Sequence, residues 1–309
     1  MKKVFVAGHR GLVGSALVRA IGGREGLGWI GEGRESLNLL NREDVFRYIN
    51  TQKPDAVIVA AAKVGGIGAN NAFPVEFLSE NLQIMTNLLD ACHQANIERV
   101  VYLGSSCIYP RMANQPIREE ELLTGELEPT NEAYALAKIS GLKLVQAYRK
   151  QYGRNWISVM PTNLYGPEDN FDAETSHVLP ALVARFHAAK ESELSTVQVW
   201  GTGTPRREFL HVDDLADACL FLLENYNGDI PLNIGFGEDV SIRELTELVA
   251  EVVGYKGAIG WDTTKPDGTP RKWLDSSRLR EHGWKPKISL REGLESTYKW
   301  YTSNLDAGK

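Results

Sequence analysis

The sequence is poor in cysteine: three cysteines stand among 309 residues, and no two of them have the spacing of a metal site. An odd number of cysteines with no disulfide framework fits a reducing compartment, so we expect a cytoplasmic location. Cys92 and Cys219 lie in apolar helical patterns and are expected to be inert, buried side chains. Cys107 stands apart, because it follows an apolar strand pattern.

The sequence also lacks an excess of charge of one sign and any long hydrophobic run. Its 34 basic and 40 acidic residues give a net charge of −6, which argues against a basic nucleic-acid-binding face but allows a local pocket for an anionic ligand. No stretch approaches the roughly 20 apolar residues that span a bilayer. The apolar run after Lys2 and Lys3 is too short for a signal-peptide core. We therefore expect no nucleic-acid partner, no membrane attachment and no bound metal.

Short apolar runs alternate with amphipathic stretches through the first half of the chain. The patterns predict strands at 4–7, 56–60, 100–103 and 156–160, and helices at 12–21, 75–96 and 134–152. Strands that are apolar throughout are typical of a parallel sheet covered on both faces. Their alternation with helices indicates an α/β fold of the doubly wound, Rossmann type.

After Pro161 the loops become longer and richer in proline, glycine and aspartate. Helical patterns follow at 178–189, 213–224, 242–253 and 290–301. We interpret this part as a smaller α/β domain that covers the cleft beside the sheet and binds substrate. The predicted dinucleotide-binding domain comprises residues 1–164 with roughly 212–240, and the predicted substrate-binding domain comprises 165–211 and 241–309.

A glycine-rich segment joins the first predicted strand to the first predicted helix. It consists of Gly8, His9, Arg10, Gly11, Leu12, Val13 and Gly14. Glycines at this point let the backbone turn tightly and approach a pyrophosphate, and the helix N-terminus supplies N–H groups and partial positive charge. The position between strand and helix predicts a dinucleotide site.

In dinucleotide-binding folds, the region after the second strand bears on which dinucleotide is bound, and here we take that region to be residues 28–34. An acidic residue here accepts hydrogen bonds from the ribose 2′-hydroxyl of NAD, whereas arginine suits the 2′-phosphate of NADP. Glu32 fits the first choice, and Arg34 with Arg10 fits the second. The pattern alone leaves this choice open.

Tyr134 and Lys138 form a YxxxK element near the start of a predicted helix, so that both side chains share one face. A tyrosine with its usual pKa of about 10 exchanges protons poorly at neutral pH. We expect the adjacent ammonium, together with a positive nicotinamide ring, to lower that pKa, and about 4 kcal/mol would shift it by three units. Ser105 and Ser106 end a predicted strand, where a serine can donate a hydrogen bond to a substrate carbonyl or to the tyrosine hydroxyl. The alternatives are that Tyr134 and Lys138 have this spacing by chance and that Ser105 and Ser106 only form a turn.

The chain has a glycine-rich loop, a serine at the end of a strand and a YxxxK element, in this order. In this arrangement it resembles the extended short-chain dehydrogenase/reductase superfamily, and the resemblance covers almost the whole chain. Longer segments resemble the GDP-L-fucose synthase family within it. These segments are AGHRGLVG at 7–14, AAAKVGGI at 60–67, GSSCIYP at 104–110, EPTNEAYALAK at 128–138, MPTNLYGP at 160–167, SHVLPAL at 176–182, WGTGTPRREFLHVDDL at 200–215 and KPDGTPRK at 265–272.

The resemblance implies a role for each matching residue. The reductase triad would be Ser105, Tyr134 and Lys138, and the acid/base pair for epimerisation would be Cys107 and His177. The GDP-sugar would be held by Arg185, Trp200, Arg207, Asp267 and Lys272. NADPH would be bound by Gly8, His9, Arg10, Gly11, Leu12, Val13, Gly14, Arg34, Asn38, Leu39, Leu103, Gly104, Ser105, Ser106, Lys138, Pro161, Thr162, Asn163, Leu164 and His177.

The reaction implied is 3,5-epimerisation of GDP-4-keto-6-deoxy-D-mannose followed by NADPH-dependent reduction at C4 to GDP-L-fucose. Protons at C3 and C5 are acidic because the C4 ketone stabilises an enolate, and inversion needs a base on one face and an acid on the other. Cys107 suits the base if its thiolate is favoured, and His177 suits the acid. Donors at the C4 oxygen would serve both the enolate and the reduction.

Two alternatives remain from the sequence. A nucleotide-sugar 4-epimerase or 4,6-dehydratase with retained NAD would share the fold, but a dehydratase usually carries an acidic pair beside the catalytic serine, where this chain has Ser-Ser-Cys. A non-enzymatic dinucleotide sensor would tend to lose the tyrosine or the lysine. The resemblance further implies a homodimer through a four-helix bundle, formed by the helices at 75–96 and 134–152.

Overall fold

A computed structural model describes residues 2–172, 175–265 and 267–306. Pro266 of the predicted 265–272 segment, Ala173 and Glu174, and the end of the predicted second domain at 307–309 lie outside the described residues.

The strands and helices follow one another along the chain with short connections. The strands are β1 (Lys2–Ala7), β2 (Leu27–Ile30), β3 (Ala56–Val59), β4 (Arg99–Leu103), β5 (Asn155–Pro161), β6 (Asn163–Tyr165), β7 (Thr196–Trp200), β8 (Arg206–His211), β9 (Leu232–Ile234), β10 (Asp239–Ser241), β11 (Ala258–Asp262) and β12 (Arg271–Lys272). The helices are α1 (Leu12–Gly22), α2 (Arg42–Gln52), α3 (Ile67–Ala72), α4 (Pro74–Gln94), α5 (Glu132–Tyr152), α6 (Val178–Glu191), α7 (Val212–Asn225), α8 (Ile242–Val253), α9 (Ser277–Glu281) and α10 (Leu290–Asp306).

Six parallel strands form the central sheet, in the order β2-β1-β3-β4-β5-β9. Alternate residues of β1 face opposite ways: Val4 and Val6 pack with α1 and α7, whereas Phe5 and Ala7 pack with the core between the sheet and α2, α4 and α5. Because both faces are covered, these strands can be apolar at every position. The predicted doubly wound α/β fold is confirmed.

A second set of strands belongs to the later part of the chain. β8 lies between antiparallel β10 and parallel β12 and also pairs with β6, while β7 pairs with β11. Helices α6, α8 and α10 pack on these strands around a third apolar core that includes Phe186, Val249 and Leu294. All four helices predicted after Pro161 are present. Of the seven strands from β6 onward, none was predicted.

Local sequence signals explain where several helices begin and end. Ser241 accepts a hydrogen bond from the N–H of Glu244, whose carboxylate accepts from the N–H of Ser241, so α8 starts at a capping box. The helix stops at Gly254, which has a left-handed φ of 79°. Asn41 caps α2 by accepting from Glu43 and Asp44. Helix α2 was not predicted from the sequence.

A buried carboxylate connects the two sets of strands. Glu208 of β8 is fully buried, and its carboxylate accepts hydrogen bonds from the N–H groups of Gly237, at 2.8 Å, and Leu274, at 3.1 Å. Its backbone carbonyl accepts from the side chain of Asn163, which follows β5, at 2.7 Å. These bonds fix β8 against the carboxyl end of the central sheet. Within 2–172, 175–265 and 267–306, no helix is long and apolar enough to cross a bilayer.

Candidate active site

The glycine-rich segment forms a tight backbone cradle at the start of α1. Gly8 has a φ of 87°, which favours glycine. A Cβ on Gly14 would lie 2.0 Å from the carbonyl oxygen of Gly8, so only glycine fits this position. The N-cap of α1 is Gly11, and no side chain of the described residues caps it. The first N–H groups of α1 are therefore free to bind a pyrophosphate. The glycine-rich segment thus fits a dinucleotide.

The loop after β2 carries a competing ion pair. The guanidinium of Arg10 lies 2.8 Å from the carboxylate of Glu35, and both side chains are about two-thirds exposed. Arg34 and Glu32 are exposed in the same loop. His9 stacks on Trp29 with ring centroids 5.6 Å apart, and burial lowers the pKa of His9. The cations expected at a 2′-phosphate are therefore present beside two acidic residues.

The remaining residues predicted for NADPH lie at the carboxyl ends of the strands or in the loop before α2. Gly104 joins β4 to β5 through its N–H and the carbonyl of Val159, at 2.8 Å. Asn38 accepts from the N–H of Leu40, at 3.1 Å. Leu103 and Pro161 are the last residues of β4 and β5. Ser106, in a short 3₁₀ turn after β4, and Thr162, directly after β5, are both buried. Leu39 and Leu164 pack at the edges of the two cores on either side of the sheet.

Ser105, Tyr134 and Lys138 come together where β4 meets α5. The side chain of Ser105 hydrogen-bonds with Tyr134 and also accepts from the N–H of Cys107, at 3.2 Å. The buried ammonium of Lys138 donates to the carbonyl of Leu103 at 2.8 Å and lies 5.7 Å from the ring centroid of Tyr134. The i, i+4 spacing thus places both side chains on one helix face.

Burial controls the ionisation of this group. Burial lowers the pKa of Lys138 to about 8. It raises the pKa of Tyr134 above its ordinary value, with a smaller rise from the nearby Cys107, and only the hydrogen bond from Ser105 opposes the change. In the protein alone the pKa of Tyr134 is raised, because burial disfavours the phenolate. Tyr134 is therefore a protonated hydroxyl, the form that a proton donor requires. The expected lowering by Lys138 together with a bound nicotinamide ring stays a prediction.

Cys107 and His177 face a third ionisable side chain. Cys107 lies in the 3₁₀ turn Ser106–Ile108 directly after β4, and the ammonium of Lys272 lies 3.6 Å from its sulfur. His177 is the N-cap residue of α6, yet its imidazole makes no capping bond to the described first turn of that helix. The pKa of His177 is lowered, mainly by desolvation and then by the charge of Lys272. Lys272 therefore lies close to both members of the predicted acid/base pair.

The residues predicted to hold the GDP-sugar occupy the second set of strands. Lys272 is opposite Arg207 in the pairing of β12 with β8, and burial lowers the pKa of Arg207. Trp200 ends β7 and is 64% exposed, with the ammonium of Lys265 5.6 Å from its ring centroid. An exposed tryptophan beside cations is suited to a base or sugar face.

The last two residues of this set make bonds within the protein. Asp267 accepts from the N–H and hydroxyl of Thr202, at 3.0 and 2.7 Å. Arg185 donates to the carbonyl of Gln198, at 3.1 Å. Both side chains are oriented by the strands around β7.

The structure adds residues that the sequence analysis did not select. Glu35 accepts a hydrogen bond from the guanidinium of Arg10. The sequence feature that could have identified Glu35 is its position directly after Arg34. Asn81 is buried on α4 and bonds both the N–H and the carbonyl of Lys63, at 2.7 and 3.0 Å, which fixes the loop after β3. A polar residue on an apolar helix face was the available signal. The part of the chain that is described contains no group of three or more His, Cys, Asp or Glu side chains that could hold a metal ion.

Comparisons with known proteins agree with this geometry. Residues 4–235 match the NAD dependent epimerase/dehydratase family. The chain is 58% identical to GDP-L-fucose synthase 1 of Arabidopsis thaliana, over 98% of this chain and 94% of that protein. It is 51% identical to GDP-L-fucose synthase of Escherichia coli (strain K12), over 99% of this chain and 98% of that protein. A crystal structure of a GDP-L-fucose synthetase from Naegleria fowleri bound to NADP superposes with a TM-score of 0.91 at 27% identity, covering 99% of this chain and 95% of the other.

Proposed function

Since the chain belongs to the NAD-dependent epimerase/dehydratase family and, within it, to the GDP-L-fucose synthases, we propose that it converts GDP-4-keto-6-deoxy-D-mannose to GDP-L-fucose. The reaction is epimerisation at C3 and C5 followed by NADPH-dependent reduction at C4. The observation that carries the proposal is the convergence of a thiol and a protonated tyrosine on one site: Cys107 and Tyr134 are close enough to influence each other electrostatically.

The protein's own groups account for the epimerisation. The Cys107 thiolate takes the proton from the carbon next to the ketone, and the bonding electrons move into an enolate whose charge lies on the C4 oxygen. Ser105 and Tyr134 donate hydrogen bonds to that oxygen. His177 delivers a proton to the opposite face of the carbon. Because its pKa is lowered, the imidazolium that carries this proton is the minor form at neutral pH and a correspondingly strong acid. Cys107 then releases its proton to water and His177 takes one up, and the same two steps at the second carbon complete the epimerisation.

The reduction uses the same oxygen. NADPH, when bound, supplies the hydride that converts the C4 ketone to an alcohol. Tyr134 donates its proton to the C4 oxygen, and Lys138 stabilises the phenolate left behind. The cradle from Gly8 to Gly14 and the α1 N-terminus would hold the pyrophosphate, and Arg10 with Arg34 would bind the 2′-phosphate.

The division of labour between the two parts of the chain follows the sequence prediction. We propose that residues 1–164 with roughly 212–240 bind the cofactor, and that 165–211 and 241–309 bind the GDP-sugar. All six strands of the central sheet fall in the first set, which supports the division. Arg207 and Lys272, side by side on β8 and β12, would face the diphosphate.

We also propose a cytoplasmic homodimer in which α4 and α5 of two copies form a four-helix bundle. The two helices pack together within one chain, where the hydroxyl of Tyr148 bonds Asp90 at 2.5 Å. Val75 on α4 and Leu136 on α5 are exposed apolar side chains, at 72% and 40%. Burial of such side chains in a partner would be favourable. Light scattering of the purified protein, compared with a Leu136→Glu variant, tests this assembly.

The decisive experiment incubates the protein with GDP-4-keto-6-deoxy-D-mannose and NADPH and identifies the product. We expect GDP-L-fucose, with one NADPH oxidised per product formed. Turnover of a nucleotide sugar without net NADPH oxidation would instead indicate an epimerase or dehydratase that retains NAD. Cofactor binding without any turnover would indicate a sensor.

A further inference from the structure

We propose that Lys272 holds Cys107 in its thiolate form, and so acts as a positioning residue for proton removal rather than only as a ligand of the GDP-sugar. The inference rests on the function proposed above. The observation behind it is the hydrogen-bonding contact between the Lys272 ammonium and the Cys107 sulfur, at 3.6 Å. A thiolate, not a thiol, is the reactive form of cysteine, and a neighbouring cation stabilises it.

Lys272 is held in place by the backbone on both sides. It belongs to β12, which is paired with β8. The next two residues are also fixed: the N–H of Trp273 donates to Gln115 at 2.9 Å, and the N–H of Leu274 donates to the buried carboxylate of Glu208 at 3.1 Å. A lysine side chain is flexible, but the strand fixes its Cα, and the side chain itself is half-buried. The ammonium is therefore kept near the thiol.

Among the described residues, a second charged group that interacts with Cys107 comes from α5. Lys138 interacts with Cys107 electrostatically, but its ammonium is already bonded to the carbonyl of Leu103, at 2.8 Å. Burial lowers the pKa of Lys138 to about 8, so part of its charge is lost just above neutral pH. Tyr134, also adjacent, is a neutral hydroxyl. Lys272 is thus the cation in direct contact with the sulfur.

The Lys272 charge also acts on His177. Desolvation and then Lys272 lower the pKa of His177. The Lys272 charge therefore favours the anionic form of the base and makes the imidazolium a stronger acid. Removal of that charge should move both ionisations to higher pH, so the whole pH profile of substrate proton exchange should shift upward.

Alkylation by iodoacetamide at a series of pH values tests the contact without substrate. Cys92 and Cys219 are fully buried, so in the folded protein the reaction reports Cys107, and Cys107→Ser verifies the assignment. In Lys272→Gln we expect the alkylation rate at neutral pH to fall about tenfold or more, because an opposite charge within about 4–6 Å shifts an ionisation by about 1–3 pH units. Lys272→Arg keeps the charge and should retain most of the wild-type rate.

Lys265→Gln is the matched control, since it removes the same charge from the loop that precedes β12, where the ammonium lies near the ring of Trp200. Its alkylation profile should equal that of the wild type. An unchanged profile in Lys272→Gln, or an equal decrease in Lys265→Gln, would overturn the inference. The test is independent of the proposed reaction: a wild type that makes no GDP-L-fucose refutes that function, while the alkylation result still decides the role of Lys272.

Discussion

At the scale of single residues, the protonation of Tyr134 decides which half of the reaction it can serve. Burial raises its pKa, so the hydroxyl stays protonated at neutral pH and can donate to the C4 oxygen. It would act poorly as a base before a hydride transfer in the oxidative direction. The site is therefore suited to reduction until a charged nicotinamide ring enters.

Tyr134→Phe keeps the ring and removes the proton. We expect the reduction rate to fall by about 10²–10⁴-fold, the usual contribution of a positioned acid, with NADPH binding nearly intact. Tyr152→Phe, at the exposed end of α5, is the control and should keep the wild-type rate. The measurement is kcat at saturating NADPH. A Tyr134→Phe variant with more than about a tenth of the wild-type kcat would exclude Tyr134 as the donor.

Lys138 gives the reduction a dependence on pH. Because the pKa of Lys138 is lowered to about 8, its charge is present below that pH and is lost as the pH rises through it. We expect reduction to slow above about pH 8, since the neutral amine cannot stabilise the phenolate. Lys138→Arg should remove this decline at alkaline pH, although its geometry will lower the overall rate. An identical alkaline limb in both proteins would assign the titration to another group.

At the scale of elements, the start of α1 requires a residue without a side chain at position 14. A Cβ on Gly14 would meet the Gly8 carbonyl oxygen at 2.0 Å, whereas a Cβ on Gly22, at the end of the same helix, would meet nothing within 4 Å. We expect Gly14→Ala to weaken NADPH binding by about tenfold or more, the loss of at least one charge-assisted hydrogen bond.

Gly22→Ala is its matched control and should bind NADPH normally. Because alanine is a better helix former than glycine, it should also unfold at the same or a slightly higher temperature. Cofactor fluorescence titration and thermal unfolding measure both effects. Equal affinities of the two variants would show that the pyrophosphate does not approach the loop here.

We expect the loop after β2 to set the preference between NADPH and NADH. Arg10 is paired with Glu35, but exposed ion pairs stabilise by only about 0–1 kcal/mol. One arginine–phosphate contact contributes about 1.5–3 kcal/mol, or about 10–100-fold. NADPH should therefore be preferred, and Arg34→Ala should lose about 10–100-fold in kcat/KM for NADPH while changing little for NADH. Glu35→Gln should improve use of NADPH by less than about fivefold. Equal wild-type kcat/KM values for both cofactors would contradict this assignment.

Sequence patterns predicted some elements well and missed others for physical reasons. The strands of the central sheet are apolar at successive positions because both faces are buried, and this signal is unambiguous for β1, β3, β4 and β5. Four of the strands from β6 onward, namely β6, β9, β10 and β12, are two or three residues long, too short to display a period. β7 and β8 combine polar or charged residues with apolar ones, so they lack the continuous apolar run of the central strands. Only Val45 and Ile49 of helix α2 are buried, so its sequence lacks the wider apolar stripe by which a helix is recognised.

At the scale of the whole molecule, the site forms where distant parts of the chain meet, and this is what the sequence could least predict. Resemblance suggested each residue's role one at a time. The contact of Lys272 with Cys107 joins residues 165 positions apart and depends on the pairing of β12 with β8, which no local pattern predicts. The raised pKa of Tyr134 likewise comes from surrounding protein rather than from its neighbour in sequence, Lys138.

This assembly predicts that the two chemistries can be separated. In the proposed mechanism Cys107 takes protons but has no part in hydride transfer, so Cys107→Ser should remove the base and leave Ser105, Tyr134 and Lys138 in place. Serine has nearly the same shape, but its hydroxyl is scarcely acidic at neutral pH, whereas a free thiol has a pKa of about 8.5. We expect proton removal to slow by about 10²–10⁴-fold.

In deuterium oxide, the Cys107→Ser variant should therefore incorporate almost no label at C3 or C5 of the substrate. With NADPH it should slowly reduce the unepimerised ketone to a GDP-6-deoxyhexose other than fucose. His177→Gln should differ, because the base survives and exchange at one carbon can continue while inversion is blocked. Mass spectrometry of the recovered sugar nucleotides distinguishes these cases. Deuterium incorporation at the wild-type rate in Cys107→Ser would show that another group is the base, and Cys107 would then only fill space in the turn after β4.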